Sequence, residues 1–235
     1  MLKKYDFKYF FVLLILLTGI IFRVLSFFMQ GKTAEEVFNN SLQSIVEIKA
    51  DTADIGESFG TAVFVKNDGT LITNAHVITY KDGGETYSFE NIQIRFSFEE
   101  TYRKVTLVKY NLENDLAVLK LVDTNCKFKA VMFADSSKLK TGEKVYAVGN
   151  LNNVGISLTE GIVSNPSINV EYNGRVRNAI QCDLTIADGN SGGALLDEDG
   201  KLVGITTFRL KDSSKNVIYG ICYNVPVNEV VEYIK

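Results

Sequence analysis

The 235-residue chain has one histidine, three cysteines and no basic tract, and each scarcity removes a class of chemistry. Cys126, Cys182 and Cys222 contain no C-x-x-C pair, and giving His76 to a metal would consume the only imidazole, so zinc ligation is set aside. An odd, low cysteine count gives no disulfide framework for an exported domain, and the three thiols read as small buried hydrophobes. A net charge of −3 argues against a nucleic-acid partner. No phosphate loop or dinucleotide glycine fingerprint is present, which argues against nucleotide-driven chemistry. No metal or cofactor is expected.

What is present is a serine between glycines, Asp188-Gly189-Asn190-Ser191-Gly192-Gly193, with His76 far upstream. A serine hydroxyl is a poor nucleophile until a positioned base takes its proton. The stretch also fits the G-x-S-x-G nucleophile elbow, but that design places its histidine after the serine, and none follows Ser191. The order His, Asp, Ser needs an acid between His76 and Ser191. Asp115, opening the alternating run Asn114-Asp115-Leu116-Ala117-Val118-Leu119-Lys120, is the best candidate. Taken singly, His76 reads equally well as structural and Asp115 as a turn acid; their order with Ser191 favours the triad.

Residues Tyr9 to Phe22 carry no charge, and the apolar stretch resumes after Arg23 to Met29, about the 20 residues that cross a bilayer as a helix. Lys3, Lys4 and Lys8 precede it, which puts residues 1–8 in the cytosol and everything after Met29 outside. Ser26-Phe27-Phe28-Met29 offers no small-x-small cleavage site, so 9–29 reads as an uncleaved transmembrane signal-anchor rather than a signal peptide. Residues 30–40 read as a polar tether with a helical turn.

From Ser41 the pattern is short strands, among them 45–48, 61–65, 92–96 and 105–108, with turn chemistry at Asn67-Asp68-Gly69 and Lys81-Asp82-Gly83-Gly84. The pattern weakens from Asp123 to Gly142 and resumes at Val145. Residues 227, 230, 231 and 234 have the spacing of a short closing helix. The expectation is an all-β fold in two halves, 41–123 with His76 and Asp115, and 124–235 with Ser191 and the closing helix, with the site between them.

These residues resemble the chymotrypsin-fold (trypsin-like) serine proteases, and within them the bacterial HtrA branch, similar to DegP and DegS. The resemblance rests on Thr61 to Val65 with Gly69 to Ile78, on Asn114 to Lys120, on Val148-Gly149-Asn150 with Gly161 to Ser164, on Ile180 to Leu195, and on Gly204 to Thr207 with Val225 to Asn228. It implies two antiparallel six-stranded β-barrels and a serine endopeptidase acting on proteins or peptides. Quality control or processing of exported proteins would be its role. His76 would be the base, Asp115 its orienting acid, Ser191 the nucleophile, and the Gly189-Asn190-Ser191 segment the oxyanion hole.

The resemblance also places a specificity pocket on Thr185, Thr206, Thr207, Phe208, Ile221 and Tyr223. Thr185 falls where trypsin-like enzymes carry an acid, so neutral, aliphatic or small P1 residues are expected over Lys or Arg. Cys182 stands where the branch often has threonine and Cys222 where glycine is common. Members usually carry a C-terminal PDZ domain; the sequence read here closes on the helix, so regulation through such a domain is not carried over. Homo-oligomer assembly, common in the branch, is left open. Two other classes stay in view: a catalytically silent binding or scaffold module on the same fold, and a viral-type cysteine protease, disfavoured because the nucleophile position is serine.

Overall fold

The computed structural model describes residues 4–28, 31–172, 174–211 and 217–235, without the side chains of 4–6, 8, 24–28, 172, 210, 211 and 217. The chain divides into two compact units, ending at Lys32 and beginning at Thr33. The first is the helix α1 (Lys4–Phe28). Among the described residues no helix is long and apolar enough to cross a membrane. Part of the expected 9–29 anchor lies outside the described side chains, so a transmembrane helix is not shown.

The expected tether contains a second helix, α2 (Ala34–Ser41). Thr33 and Glu36 cap it reciprocally: the Thr33 hydroxyl accepts from Glu36 N–H, and the Glu36 carboxylate accepts from Thr33 N–H at 2.8 Å. Val37 buries fully against Ile45 and the closing helix, which docks α2 on the β domain.

Fourteen strands follow among the described residues. The first closed barrel runs β1 (Ile45–Thr52), β2 (Gly56–Phe64), β3 (Thr70–Thr73), β8 (Leu116–Leu121), β7 (Arg103–Asn111), β6 (Asn91–Arg95). The second runs β10 (Ile156–Tyr172), β11 (Arg175–Cys182), β14 (Val217–Pro226), β13 (Leu202–Lys211), β12 (Ala194–Leu196), β9 (Lys144–Asn150). A separate hairpin, β4 (Thr79–Asp82) with β5 (Glu85–Ser88), turns at Gly83-Gly84, where the sequence reading had only a turn. Helix α3 (Val227–Tyr233) closes the chain.

Strand periodicity explains why these runs are apolar on both faces. Val46, Ala62, Phe64, Leu71, Ala117 and Leu119 point into the first barrel, while Ile45, Val63, Val65, Ile72, Leu116 and Val118 point out of it. Val145, Ala147 and Leu195 likewise fill the second barrel, and their neighbours Tyr146, Val148, Ala194 and Leu196 point outward. The two outward sets form one buried cluster, sealed by Val225 and by Val227 and Val230 of α3. A strand that serves its own core and a shared junction has no face left for solvent.

Candidate active site

The site residues leave the strands at that junction. His76 sits on the 3₁₀ turn Ala75–Val77 that follows β3, and Asp115 is the residue before β8, the strand paired with β3. Asp115 is buried and adopts a left-handed backbone, φ +53°, a conformation that aspartate tolerates better than most residues. Its surroundings hold it there. The Asp115 carbonyl accepts from Ala75 N–H at 3.2 Å and from Asn74 Nδ2 at 2.8 Å. Its carboxylate accepts from His76 N–H at 3.0 Å and meets His76 Nδ1 at 2.8 Å. Both the position and the tautomer of the imidazole are thereby set, with Nδ1 as donor and Nε2 left as the basic nitrogen.

Ser191 lies on the other side of the junction, in the loop between β11 and β12. Gly189 and Gly192 have φ +91° and +83°. A Cβ at Gly189 would collide with Asn150 O, and one at Gly192 with Thr61 O and Thr73 Oγ1, so both positions require glycine twice over. Thr61 of the first barrel ties the loop down: its N–H donates to Ser191 O at 2.9 Å and its hydroxyl to Gly189 O at 2.7 Å. The same hydroxyl accepts from Asn150 N–H at 2.9 Å. Asn152 N–H donates to Asp188 O at 2.7 Å. In a trans peptide the N–H of Gly189 points opposite to that carbonyl, away from Asn152.

The Ser191 hydroxyl donates to Thr207 O at 3.1 Å, and among the described residues no hydrogen bond joins it to His76. Asn74 Nδ2 also donates to Thr207 Oγ1 at 2.8 Å, so one amide links the acid's carbonyl to the strand beside the serine. The expected pocket residues divide. Phe208 and Tyr223 pack ring to ring at 5.1 Å in a small cluster with Ala179 and Ile221. Thr206 and Thr207 are buried, with Thr207 against Ser191, while Thr185 is exposed. Asn190 is buried within the loop.

Sequence reading missed several groups that position the expected ones. Thr61, Asn74 and Asn150 lie inside the motifs that carry the resemblance, but their cross-barrel partners Gly189, Thr207 and Thr61 are far away in the chain and carry no local signal. Arg177 of β11 is the larger omission. Its guanidinium donates to Leu112 O at 2.8 Å and comes within 3.7 Å of the Asp115 carboxylate, crossing from the second barrel to the first.

Paired six-stranded barrels, with a buried acid bonded to an exposed imidazole on the first and a glycine-locked serine on the second, are the architecture of the chymotrypsin-like peptidases. Residues 60–205 match the family model described as a trypsin-like peptidase domain, and the chain belongs to that family. A Bartonella henselae protein described as a probable periplasmic serine endoprotease, DegP-like, is 36% identical over 169 residues, covering 72% of this chain and 31% of that protein. A Staphylococcus aureus protein described as HtrA-like serine protease is 30% identical over 218 residues, covering 84% of this chain and 27% of that protein. The chain thus spans less than a third of the length of these relatives. The solved structure of an HtrA-type protease, AlgW, with a tripeptide superposes with a TM-score of 0.74 at 28% identity, covering 86% of this chain and 62% of that one.

Proposed function

We propose that the protein is an extracytoplasmic serine endopeptidase of the HtrA type, with His76, Asp115 and Ser191 as its triad. The observation that carries this is the two-point grip of the Asp115 carboxylate on His76, together with a serine whose loop admits only glycine at 189 and 192. In the reaction, Ser191 Oγ forms a bond to the substrate carbonyl carbon while His76 Nε2 takes its proton, then gives that proton to the departing amine as the C–N bond breaks. Water repeats the sequence on the acyl-enzyme, releasing the acid and restoring the hydroxyl. Asp115 keeps its charge throughout and stabilises the imidazolium. The Gly189 and Ser191 N–H groups serve the oxyanion.

The bond from Ser191 to Thr207 O is the one observation favouring a silent scaffold. A turn of the serine side chain to another staggered rotamer breaks a single hydrogen bond worth about 1 kcal/mol, so it is read as a resting position. A neutral primary pocket beside Thr207, Phe208 and Tyr223 goes with this reading, with aliphatic or small P1 residues preferred. Attachment to a membrane through α1 goes with it too, supported by the uncharged run Tyr9 to Phe22 behind three lysines. Processing or quality control of exported proteins would be the physiological task.

A fluorophosphonate probe tests the activity. Labelling of the wild type that disappears in Ser191→Ala is the expected result; a wild type that neither labels nor cleaves any peptide would make the protein a scaffold. Carbonate extraction of membranes tests the attachment, with release into the supernatant as the adverse outcome.

A further inference from the structure

Beside His76 lies a cavity of about 260 Å³ that the triad chemistry does not use. One wall is His76 and Asp115 themselves, with Leu112 next to them. A second wall is the β4–β5 hairpin, contributing Thr79, Tyr80, Lys81 and Thr86, and the third is β11, contributing Arg175 and Arg177. The hairpin is fixed close to the base. The Thr79 hydroxyl donates to Ala75 O at 2.8 Å, Phe89 N–H donates to Ile78 O at 3.0 Å, and Tyr80 packs on Phe89 at 5.1 Å between ring centres.

Register aims the cations together. Lys81 is paired with Thr86 across the hairpin, and directly opposed residues share a face. Arg175 and Arg177 are two apart on β11 and also share a face. The cavity therefore collects three cations, and its only carboxylate among the described residues, Asp115, is already committed to His76. Lys81 and Arg175 are exposed, and neither forms an ion pair among the described residues. Arg175 also borders a neighbouring hollow of about 480 Å³ that holds Glu113 and Glu229, without reaching either in an ion pair among the described residues.

We propose that this cavity is a substrate subsite for an acidic side chain, in which Lys81 and Arg175 bind the Asp or Glu of a peptide lying against His76. The proposal rests on the peptidase reading and adds its substrate class: acidic sequence within a few residues of the scissile bond. Arg177, held by Leu112 and Asp115, forms the rear of the subsite, and the two exposed cations select. Because they are solvent-facing, selection fades as salt rises.

The test uses the full chain and matched peptides that differ only in Glu, Ala or Lys at positions scanned on each side of one cleavable bond. Wild type is expected to favour Glu over Lys by about tenfold through KM, with kcat changed little, since two exposed pairs give that order of discrimination. Lys81→Glu with Arg175→Glu is expected to reverse the Glu-to-Lys ratio, its thermal midpoint checking that it folds. In parallel, fluorescence anisotropy measures the same peptides on Ser191→Ala. If peptides are cleaved but Glu, Ala and Lys behave alike at every position, or the ratio survives double reversal, the subsite is overturned and the peptidase reading stands. If nothing is cleaved, yet Ser191→Ala binds Glu peptides in a manner lost on double reversal, the peptidase reading fails and the acidic site stands.

Discussion

The two barrels share a strand count and solve opposite problems. The first positions the proposed base and acid with side chains: Asp115 grips His76 through two oxygens, and Asn74 holds Asp115 in turn. The second positions the proposed nucleophile with backbone, since Ser191 stands where glycines at 189 and 192 permit left-handed turns and close approach. Their interiors differ in the same sense. The first stacks Phe64 between Phe96 and Phe128, at ring distances of 5.8 and 4.6 Å. The second is filled by smaller groups, including Val145, Ala147, Cys182 and Cys222. An imidazole has to be oriented, which calls for directional partners; a hydroxyl on a short stem is aimed by its own main chain.

That contrast can be attacked at four points. Asp115→Asn should leave the backbone grip partly intact while offering the wrong hydrogen-bonding partner to His76, and kcat for any cleaved peptide should fall by about 10⁴. A fall under tenfold would mean side chains do not set the geometry of the first half. Phe64→Ala opens the aromatic stack and should cost about 3–5 kcal/mol in urea unfolding, with the residual folded fraction still labelled at Ser191. Loss of labelling in that folded fraction would show the two halves are not separable.

Thr61→Val, where the halves meet, strips the hydroxyl from both Gly189 O and Asn150 N–H and should cost about 1–3 kcal/mol for each group left unpaired. Its signature is slower labelling of Ser191, because the loop loses the hydroxyl tie at Gly189 and keeps only the Thr61 N–H bond to Ser191 O. The smallest effect is expected at the surface. The Asp68 carboxyl is held down to about 2 by the Thr70 hydroxyl and then by Lys120. A depressed carboxyl contributes stability above its unfolded value of about 3.9 and loses it as pH falls through about 2. Asp68→Asn should therefore cost about 0.5 kcal/mol or less at neutral pH, with the difference from wild type vanishing between about pH 4 and 2. A difference that persists in acid would place its origin in the turn rather than in the charge.

Much of this was legible in the chain, for reasons specific to each element. The peptidase class announces itself because a single imidazole, His76, leaves one candidate base and because its order with Asp115 and Ser191 separates two hydrolase designs. Alternation marked the strands of both barrels, and the 227–234 spacing marked α3. The β4–β5 hairpin was missed because only the turn at Lys81-Asp82-Gly83-Gly84 has a local signal, the strands' stability coming from Tyr80 against Tyr87 and Phe89 rather than from an apolar pattern. Helix α2 was read as tether because its eight residues contain only Val37 and Phe38 as large apolar groups, and what orders it is a buried surface made by strands far along the chain. Arg177 gave no signal at all, since it lies on an otherwise polar stretch and acquires meaning only when β11 folds beside Leu112.

The junction shared by both barrels also bears on how the protein is made. When Leu121 leaves the ribosome the first barrel has all its strands, yet Ile45, Val63, Ile72, Leu116 and Val118 still await the residues that cover them. The last of those, in α3, lie roughly 110 residues later, a wait on the order of ten seconds at about 5–20 residues per second. Over that interval the nascent chain presents a sticky half-site, and a protease added to ribosome-stalled intermediates should cut the first barrel readily until α3 has emerged and should spare it afterward. The seam on which both barrels close thus makes synthesis an all-or-nothing event, with no finished half-protein along the way.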